Sequence, residues 1–451
     1  MRAAALGCAG IFLGALDFGF MTLAGPAIDR DLELGAAYPW LFSASSFAYG
    51  ATLMIAGWLV DRSGPGVVMR TGLVLYAGGL ALAALAPAAG VLLAGRALLG
   101  VGGGAVVPAA LALLAGVEAR GGRRLAFASS GGAVAAGFVG GVLLGSLAVP
   151  PLGWRWVLLA VCPAILALAP LARGSGTRGP TPRSARGSGT RGVSPPRSRP
   201  AGVVAVAASA LIAAAGLSVA ARAPAVCATA LALAVVLAGA GLQRAARPEG
   251  GWLPAGAGQR GLAGVCLAGA ATTASGVGGA ALLGRALPDV GQLSPAATGL
   301  VLATFGLAIP LAVPAARVIS GALGAASSCG VGLATQAAAL AAAAATPLDA
   351  HAAIAVAVMV FGAGHVVANA GAAEAAMDAA ADRPGPLAGL LATAQYVGAG
   401  VGAVVVLSAA GGSAPTAAGV RTGLLLAAAV ALGGALTVLA TRPRALRSAR
   451  A

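Results

Sequence analysis

The stretch Val91-Leu-Leu-Ala-Gly-Arg96-Ala-Leu-Leu-Gly-Val-Gly-Gly-Gly-Ala-Val-Val-Pro-Ala-Ala-Leu-Ala-Leu-Leu-Ala-Gly116 holds 26 residues and one charge. A helix of about 20 apolar residues is long enough to span the hydrocarbon core of a bilayer. Similar stretches recur along the chain, which is 59% hydrophobic and 9% charged with a mean hydropathy of +0.93. Soluble proteins carry about 25% charged residues. Since strand-period alternation is absent from the sequence, we predict an all-α integral membrane protein.

About fourteen stretches have the length of a membrane span. An odd number would break the alternation of polar segments between the two sides, so an even count is expected. The predicted spans are 3–28, 40–60, 71–87, 91–116, 125–148, 155–172, 201–221, 225–243, 261–284, 296–314, 321–343, 351–376, 387–408 and 421–441.

The formal charge of +16 raises the question of nucleic acid, but the distribution of charge argues against it. All 28 basic residues are arginines that lie mainly in short polar breaks, without a stripe of interleaved aromatics. The cysteines lie singly inside apolar stretches, which predicts small buried groups and neither disulfides nor metal ligands. No cofactor or metal is expected. The five cysteines are Cys8, Cys162, Cys227, Cys266 and Cys329.

The arginines also predict the orientation of the chain. If the N-terminus is inside, the breaks on its side hold 22 arginines and those on the other side hold five, with Arg96 left inside a span. Because cytoplasmic segments carry an excess of Lys and Arg, both termini are expected in the cytoplasm of a multi-pass cell-membrane protein.

One long polar segment, 173–200, divides the chain and contains the direct repeat Arg173–Gly179 and Arg186–Gly192. Gly, Ser, Pro and Arg cannot form a buried core, which predicts a disordered cytoplasmic linker. The predicted organisation is a six-helix half at 1–172, the linker at 173–200, a two-helix insert at 201–243, a cytoplasmic loop at 244–260, a six-helix half at 261–441 and a cytoplasmic tail at 442–451.

The break Gly57-Trp-Leu-Val-Asp61-Arg62-Ser-Gly64 resembles the G-x-L-x-D-R-x-G loop of the major facilitator superfamily, between its second and third helices. Glycine allows helices to approach, and an Asp and an Arg at a helix end can make charge-assisted contacts with a neighbouring helix end. The resemblance implies that Gly57, Asp61, Arg62 and Gly64 form a cytoplasmic gating loop.

Other segments resemble the fourteen-span drug:proton antiporters of that superfamily. Leu16-Asp17 resembles the start of their first helix, and Arg96-Ala-Leu-Leu99-Gly resembles R-x-x-Q-G with Leu99 in place of Gln. Further similar segments are Gly137, Gly141 and Gly145, spaced four apart with Val142 where the branch has Pro, Gly153–Trp156, Gly291–Pro295 and Gln395–Gly398. The resemblance implies a major facilitator fold with about 14 transmembrane helices, in two six-helix halves plus a two-helix insert, acting as a monomer on a small molecule and protons.

Ionisable groups inside spans are costly and are therefore candidates for function. Asp17 lies about 16 Å and Arg96 about 9 Å from the same face at 1.5 Å of helix rise per residue, and in the superfamily both helices line the central cavity. Burial favours a protonated carboxyl and a nearby guanidinium favours the ionised form, so the pair is predicted to couple transport to protons. In the alternative interpretation, Arg96 extends to the membrane interface and Asp17 caps a helix break.

The second half offers uncharged polar candidates. His365 and Asn369 are four residues apart and share a helix face. His365 is a candidate substrate ligand, a second proton site, or a histidine bonded to a neighbouring helix. Aromatic side chains can stack on a planar substrate or pack against lipid, and the spaced glycines can serve helix packing alone. The predicted cavity residues are Phe18, Thr22, Phe42, Phe47, His365, Asn369 and Gln395.

These features predict proton-driven export of a hydrophobic or amphipathic small molecule, such as a drug or secondary metabolite, by alternating access. A major facilitator transporter without antiport is the alternative, because Leu99 and Val142 replace residues typical of the antiporters. A polytopic protein that transports nothing is the other. No His/Asp pair, Ser/His arrangement or metal-ligand cluster in the sequence indicates an enzyme.

The orientation can be tested by labelling. With the linker in the cytoplasm, an engineered Ser188→Cys should resist a membrane-impermeant maleimide in intact cells and react after permeabilisation, in a background without native cysteines. Ready labelling in intact cells would show the opposite orientation.

Overall fold

The structure is a computed structural model. It describes residues 2–117, 123–172, 201–218, 259–378, 384–412 and 414–441, with four isolated positions between 229 and 237. The predicted linker and tail, most of the loop at 244–260 and most of the span at 225–243 lie outside the described residues.

The described residues form thirteen long helices joined by short connections. Helix α5 continues through a π-helical turn, Leu144–Ala148, and a short α-helical turn, Val149–Leu152. The helices are α1 Arg2–Leu32, α2 Trp40–Ser63, α3 Pro65–Ala84, α4 Ala89–Val117, α5 Arg123–Leu143, α6 Trp154–Leu168, α7 Ala201–Ser218, α8 Gln259–Asp289, α9 Pro295–Leu323, α10 Ala325–Ala345, α11 His351–Asp378, α12 Pro384–Ala409 and α13 Ala417–Ala440.

Within the described ranges, 12 helices are long and apolar enough to cross a membrane, and none of the described residues is in a strand. This confirms a multi-pass, all-helical protein. The structure describes α7, Ala201–Ser218, where the first insert span was predicted, whereas most of the second insert span lies outside the described residues. The total of fourteen spans therefore stays a prediction.

Several helices are longer than the hydropathy pattern predicted, and α9 continues to Leu323, where its span was predicted to end at 314. Helix α1 continues to Leu32 and α8 continues to Asp289, where the spans were predicted to end at 28 and 284. Pro288 lies in the last turn of α8 and does not end the helix earlier. Arg285 therefore lies inside a membrane-spanning helix, and its assignment to a polar break was wrong.

The helices pack in two groups of six. Contacts within α1–α6 and within α8–α13 are extensive, and the groups meet mainly through α2 with α12, α5 with α9, and α1 with α8. We call these groups the first half and the second half. Both use the same local packing: Gly102 of α4 lies against the α3 backbone at Tyr76, and Gly364 of α11 lies against the α10 backbone at Gln336.

Glycine also makes the tight turns of both halves. A single residue, Gly64, joins α2 to α3 with φ +82°, and Gly324 joins α9 to α10 with φ +83°. Only glycine adopts such a positive φ without steric cost, so each helix can reverse direction within one residue.

Three contacts fix the direction of the bundle. Gly264, near the start of α8, lies against Thr441 at the end of α13. Thr22 lies against Gly284, so the later parts of α1 and α8 lie together. The start of α1 and the end of α13 are therefore at one face, which we call the termini face. The other is the opposite face.

Helix α7 lies across the junction of the two halves. Ala207 and Ala210 are buried against Ala51 of α2, with Val397 of α12 packed beside them. Small side chains allow the three helices to approach closely.

The packing of α1 on α5 can be tested with neighbouring glycines. A Cβ at Gly141 would clash with the Leu16 carbonyl oxygen, whereas the nearest atom to a Cβ at Gly140 is 3.9 Å away. We expect Gly141→Ala to lower the free energy of unfolding by about 1–3 kcal/mol and Gly140→Ala to change it little. Thermal melting of the two purified variants measures the difference, and equal melting temperatures would contradict the close packing.

Candidate functional site

The charged centre of the first half is a buried ion pair between α1 and α4. Arg96 Nη1 lies 2.5 Å from Asp17 Oδ1 and Nη2 lies 2.9 Å from Oδ2, so the contact is bidentate. The Arg96 side chain is 2% exposed and that of Asp17 is 11% exposed. A bidentate contact in such surroundings is strong and directional. The structure therefore brings the two predicted residues together, and Arg96 does not extend to the membrane interface.

Arg96 also holds the beginning of α2. Its Nε donates to the carbonyl oxygen of Leu41 at 3.0 Å, and Nη2 donates to Ser45 Oγ at 3.0 Å. The approach is possible because Gly100 of α4 leaves room for the Ser45 carbonyl. One guanidinium thus fastens α1 and the first two turns of α2 to α4.

Behind Asp17, α1 faces an apolar crevice. The Tyr76 hydroxyl points into the same region but donates to the Leu13 carbonyl oxygen at 3.0 Å. The crevice is lined by Leu13, Leu16, Phe20, Leu80, Leu144, Val157, Leu158, Val161 and Ile165 beside Asp17 and Tyr76. The guanidinium of Arg96 therefore gives the Asp17 carboxylate its charge-assisted hydrogen bonds, and the side chains that line the crevice beside it are mainly apolar.

The polar groups of the second half form a network without formal charge. Gln395 Nε2 donates to Asn369 Oδ1 at 2.7 Å, which joins α12 to α11. Asn369 Nδ2 donates to the His365 carbonyl oxygen at 3.0 Å, and Thr273 Oγ1 of α8 donates to the Gln395 carbonyl oxygen at 2.5 Å. All three predicted polar residues of this half are thus brought together and are partly exposed.

His365 lies against α8. Its ring centroid lies 5.5 Å from that of Phe305 of α9. A Cβ at Gly276 would lie 2.8 Å from Nδ1, so glycine at this position makes room for the imidazole. Nδ1 itself is buried without a hydrogen-bond partner. The ring therefore remains able to accept a further hydrogen bond.

Sequence reasoning missed Gln336 of α10, which is fully buried. Its Nε2 donates to the Thr272 carbonyl oxygen at 3.0 Å and to Ser275 Oγ at 2.8 Å. A lone Gln inside an Ala-rich span was a signal, since buried amides need partners. Its partners on α8 are 61 and 64 residues away along the chain, and the sequence alone does not indicate that they are in contact with Gln336.

The predicted aromatic residues lie mainly in helix contacts in this conformation. Phe42 and Phe47 are 2% and 1% exposed. Thr22 is fully buried against Gly284. Phe18 is partly exposed and is 5.8 Å, between ring centroids, from Phe138. The roles of these four predicted residues in a cavity stay predictions.

Aromatic rings also connect the halves. Phe138 of α5 and Phe305 of α9 are 5.1 Å apart, and Phe305 is 5.1 Å from Phe361 of α11. Aromatic rings at this spacing stabilise a contact by more than the burial of their apolar surface alone. Phe305 and Phe361 were not predicted as site residues because their faces depend on partner helices distant in sequence.

The predicted packing glycines lie between α5 and α1. A Cβ at Gly137 or Gly141 would clash with α1 carbonyl oxygens, and one at Gly145 would lie 2.7 Å from Leu23 Cβ. These glycines bring α5 against the helix that carries Asp17.

The predicted gating loop lies at the termini face, where its charged residues are exposed. Asp61 and Arg62 are exposed, and the Arg62 guanidinium stacks over Trp58 of its own helix at 4.7 Å. Gly57 has no neighbour within 4 Å of an added Cβ. Among the described residues, no ion pair joins Asp61 to the second half.

At the opposite face, an unpredicted ion pair joins the halves. Arg285 Nη1 of α8 lies 2.8 Å from Asp29 Oδ2 of α1, and Nε lies 2.6 Å from Asp289 Oδ2. The same guanidinium stacks over Tyr38 at 4.5 Å. Arg285 and Asp29 are 5% and 7% exposed, so their contact is buried, whereas the Asp289 side chain is 33% exposed.

Further contacts close the space between the halves on this side. Ser43 Oγ donates to the Gly400 carbonyl oxygen at 2.8 Å, and the rings of Tyr49 and Tyr396 stack at 3.9 Å. The contacts described above between the two halves all lie between the opposite face and about the middle of the helices. The structure is thus closed at the opposite face.

Sequence comparison identifies the family. The pattern of the Major Facilitator Superfamily matches residues 6–291, more than half of the chain. The chain belongs to the major facilitator superfamily. This is the family that the gating-loop motif predicted.

Similar curated proteins include exporters. The puromycin resistance protein pur8 of Streptomyces alboniger is 34% identical over 159 residues, 35% of this chain and 32% of that protein. The cephamycin export protein CmcT of Amycolatopsis lactamdurans is 32% identical over 160 residues, 35% of this chain and 33% of that protein. The multidrug efflux pump LfrA of Mycolicibacterium smegmatis is 32% identical over 160 residues, 35% of this chain and 32% of that protein. Each match spans about a third of the relative's length.

Solved structures share the fold over nearly the whole chain. The POT family transporter PepTSo has a TM-score of 0.68 at 18% identity, covering 99% of this chain and 98% of that one. The nucleoside transporter NupG has a TM-score of 0.65 at 13% identity, covering 98% and 100%. At such identities the likeness shows the fold alone.

The gating loop gives a test of its role. Asp61 is exposed in this conformation, so Asp61→Asn should leave folding intact. If Asp61 makes a charge-assisted contact when the termini face closes, the amide should lower the transport rate several-fold. Uptake into proteoliposomes measures this, with Asp349→Asn in an exposed loop as the control. An unchanged rate in Asp61→Asn would show that the loop has no gating role.

Proposed function

We propose that the chain exports a hydrophobic or amphipathic small molecule in exchange for protons, by alternating access. The observation that carries this proposal is the buried bidentate pair of Asp17 and Arg96. A carboxylate that takes up a proton loses the charge with which it attracts a neighbouring guanidinium, so proton uptake would change the contact between α1 and α4. The similar curated proteins include an export protein and an efflux pump, which supports outward transport of small molecules.

The two halves would divide the work. Protons would act at Asp17 in the first half. Asn369, Gln395 and His365 would give hydrogen bonds to a substrate that enters from the termini face. Phe305 beside His365 suits an apolar or aromatic part of the same molecule.

The same proposal includes the orientation and organisation of the chain. Both termini and the linker at 173–200 would face the cytoplasm, following the arginine bias. The open gating loop would then be cytoplasmic, and the structure would represent the inward-facing stage of the cycle. The two-helix insert would precede the second half.

A uniporter or symporter is the second candidate. The bonds of Arg96 to Asp17, Leu41 and Ser45 favour it, because a pair held this firmly can be a permanent structural element. Transport driven by a substrate gradient alone, with no response to a pH gradient, would identify this alternative.

The proton role is tested with Asp17→Asn in proteoliposomes. An amide cannot carry a proton, so efflux driven by an imposed pH gradient should fall at least about tenfold, to background. Substrate binding should survive, because Asn resembles protonated Asp in shape. A panel of lipophilic compounds that includes puromycin supplies the substrate, and Asp349→Asn is the control.

Arg96→Ala gives the complementary result. Removing the cation that favours the ionised carboxylate should move the pH dependence of substrate binding to higher pH.

Gradient-driven efflux that persists in Asp17→Asn would remove Asp17 from the mechanism and direct attention to His365.

A further inference from the structure

Arg96 and the closure at the opposite face are connected through the beginning of α2. Arg96 bonds to the Leu41 carbonyl and to Ser45 Oγ. The same two turns carry Ser43, which bonds to Gly400 of α12. Tyr38, just before α2, lies under the guanidinium of Arg285. A shift of these turns would therefore disturb two contacts between the halves at once.

Ionised Asp17 keeps this arrangement stable. Within the described residues, Arg96 is paired with one carboxylate and is otherwise surrounded by neutral groups. A buried guanidinium that loses its counter-ion is strongly unfavourable and must regain water or another partner. Arg96 lies seven residues from the start of α4 at Ala89, about 10 Å from the opposite face at 1.5 Å per residue. Opening at that face is the short route by which water reaches it.

We propose that Arg96 is the positioning residue that converts neutralisation of Asp17 into opening of the opposite face: the unpaired guanidinium, still bonded to Leu41 and Ser45, draws the first turns of α2 away from the Asp29–Arg285 closure. The inference rests on the proposed function in taking Asp17 as the proton site. It goes beyond it by assigning the closure to Asp29 and Arg285 and by naming the stranded cation as the cause of opening.

Groups other than Asp17 also titrate near these elements. Arg96 of α4, Tyr49 of α2 and Tyr76 of α3 face Asp17, whereas the α5–α6 side of the crevice is apolar. In the closure, Asp29 and Asp289 are carboxylates and would themselves take up protons in acid. A test that only lowers the pH would mix these effects, so the charge of Asp17 must be removed by substitution at constant pH.

The experiment measures the opposite face directly. Spin labels at Ala36→Cys and Ala296→Cys, both exposed, report the distance between the halves at pH 8 in nanodiscs, with the five native cysteines replaced. The unsubstituted pair should show mainly the short, closed distance. Asp17→Asn should shift at least half of the population to a longer distance, because Arg96 is then unpaired.

The double variant Asp17→Asn with Arg96→Leu decides the cause. It removes the stranded cation, and replacing a buried ion pair by neutral groups is commonly tolerated, so the closed distance should return. Arg285→Met should open the face even when Asp17 and Arg96 are intact. Asp31→Asn breaks a pair with Arg155 on the same face but within the first half, and should stay closed.

Two results would overturn the inference: a closed face in Asp17→Asn, or a double variant as open as the single one. Substitutions of Ser45, which accepts a hydrogen bond from Arg96, test the same connection without changing Asp17 or Arg96 further. The two substitutions are Ser45→Ala and Ser45→Thr. In the Asp17→Asn background, Ala should reduce the open population and Thr, which keeps the hydroxyl, should restore it. The distances between the spin labels are measured without substrate and without a pH gradient. If the opposite face opens and closes as expected but no efflux is driven by a pH gradient, the proposed function is wrong and this inference still stands.

Discussion

Close approach of helix backbones at glycine is the constraint on which this bundle depends. In lipid, apolar side chains gain little by leaving their surroundings, so helices associate through van der Waals contact and internal hydrogen bonds. Gly141 lets α5 contact the α1 backbone, and Gly100 lets α4 contact that of α2. Arg96 can reach α1 and α2 together only because its helix lies this close to both. The charged site is thus a consequence of the packing.

The two halves share this packing but not its chemistry. Tyr76 of α3 bonds to a carbonyl of α1, and Gln336 of α10 bonds to a carbonyl of α8 at the corresponding contact. The first half adds an ion pair, whereas the polar network described in the second half at similar depth is neutral. One architecture therefore holds a buried ion pair in the first half and a neutral polar network in the second half.

The sequence predicted the helical membrane class, the family and the meeting of Asp17 with Arg96, because length, charge and depth in a helix are local properties. It did not predict the cluster at Arg285, since the loss of hydropathy placed the end of the span at 284 and Arg285 in the polar break that follows. Gln336 escaped notice because its partners on α8 are distant in sequence. Whether Phe42 and Phe47 are buried depends on which side of α2 packs against α12. In a uniformly apolar helix the hydrophobic period does not indicate that side.

Helix α7 adds a third helix to the junction between α2 and α12. It covers part of this junction with Ala207 and Ala210. A molecule dissolved in the membrane therefore meets three helices at this junction. Rocking of the halves would also slide α2 and α12 beneath α7, so α7 must keep its contacts with two helices that move relative to each other.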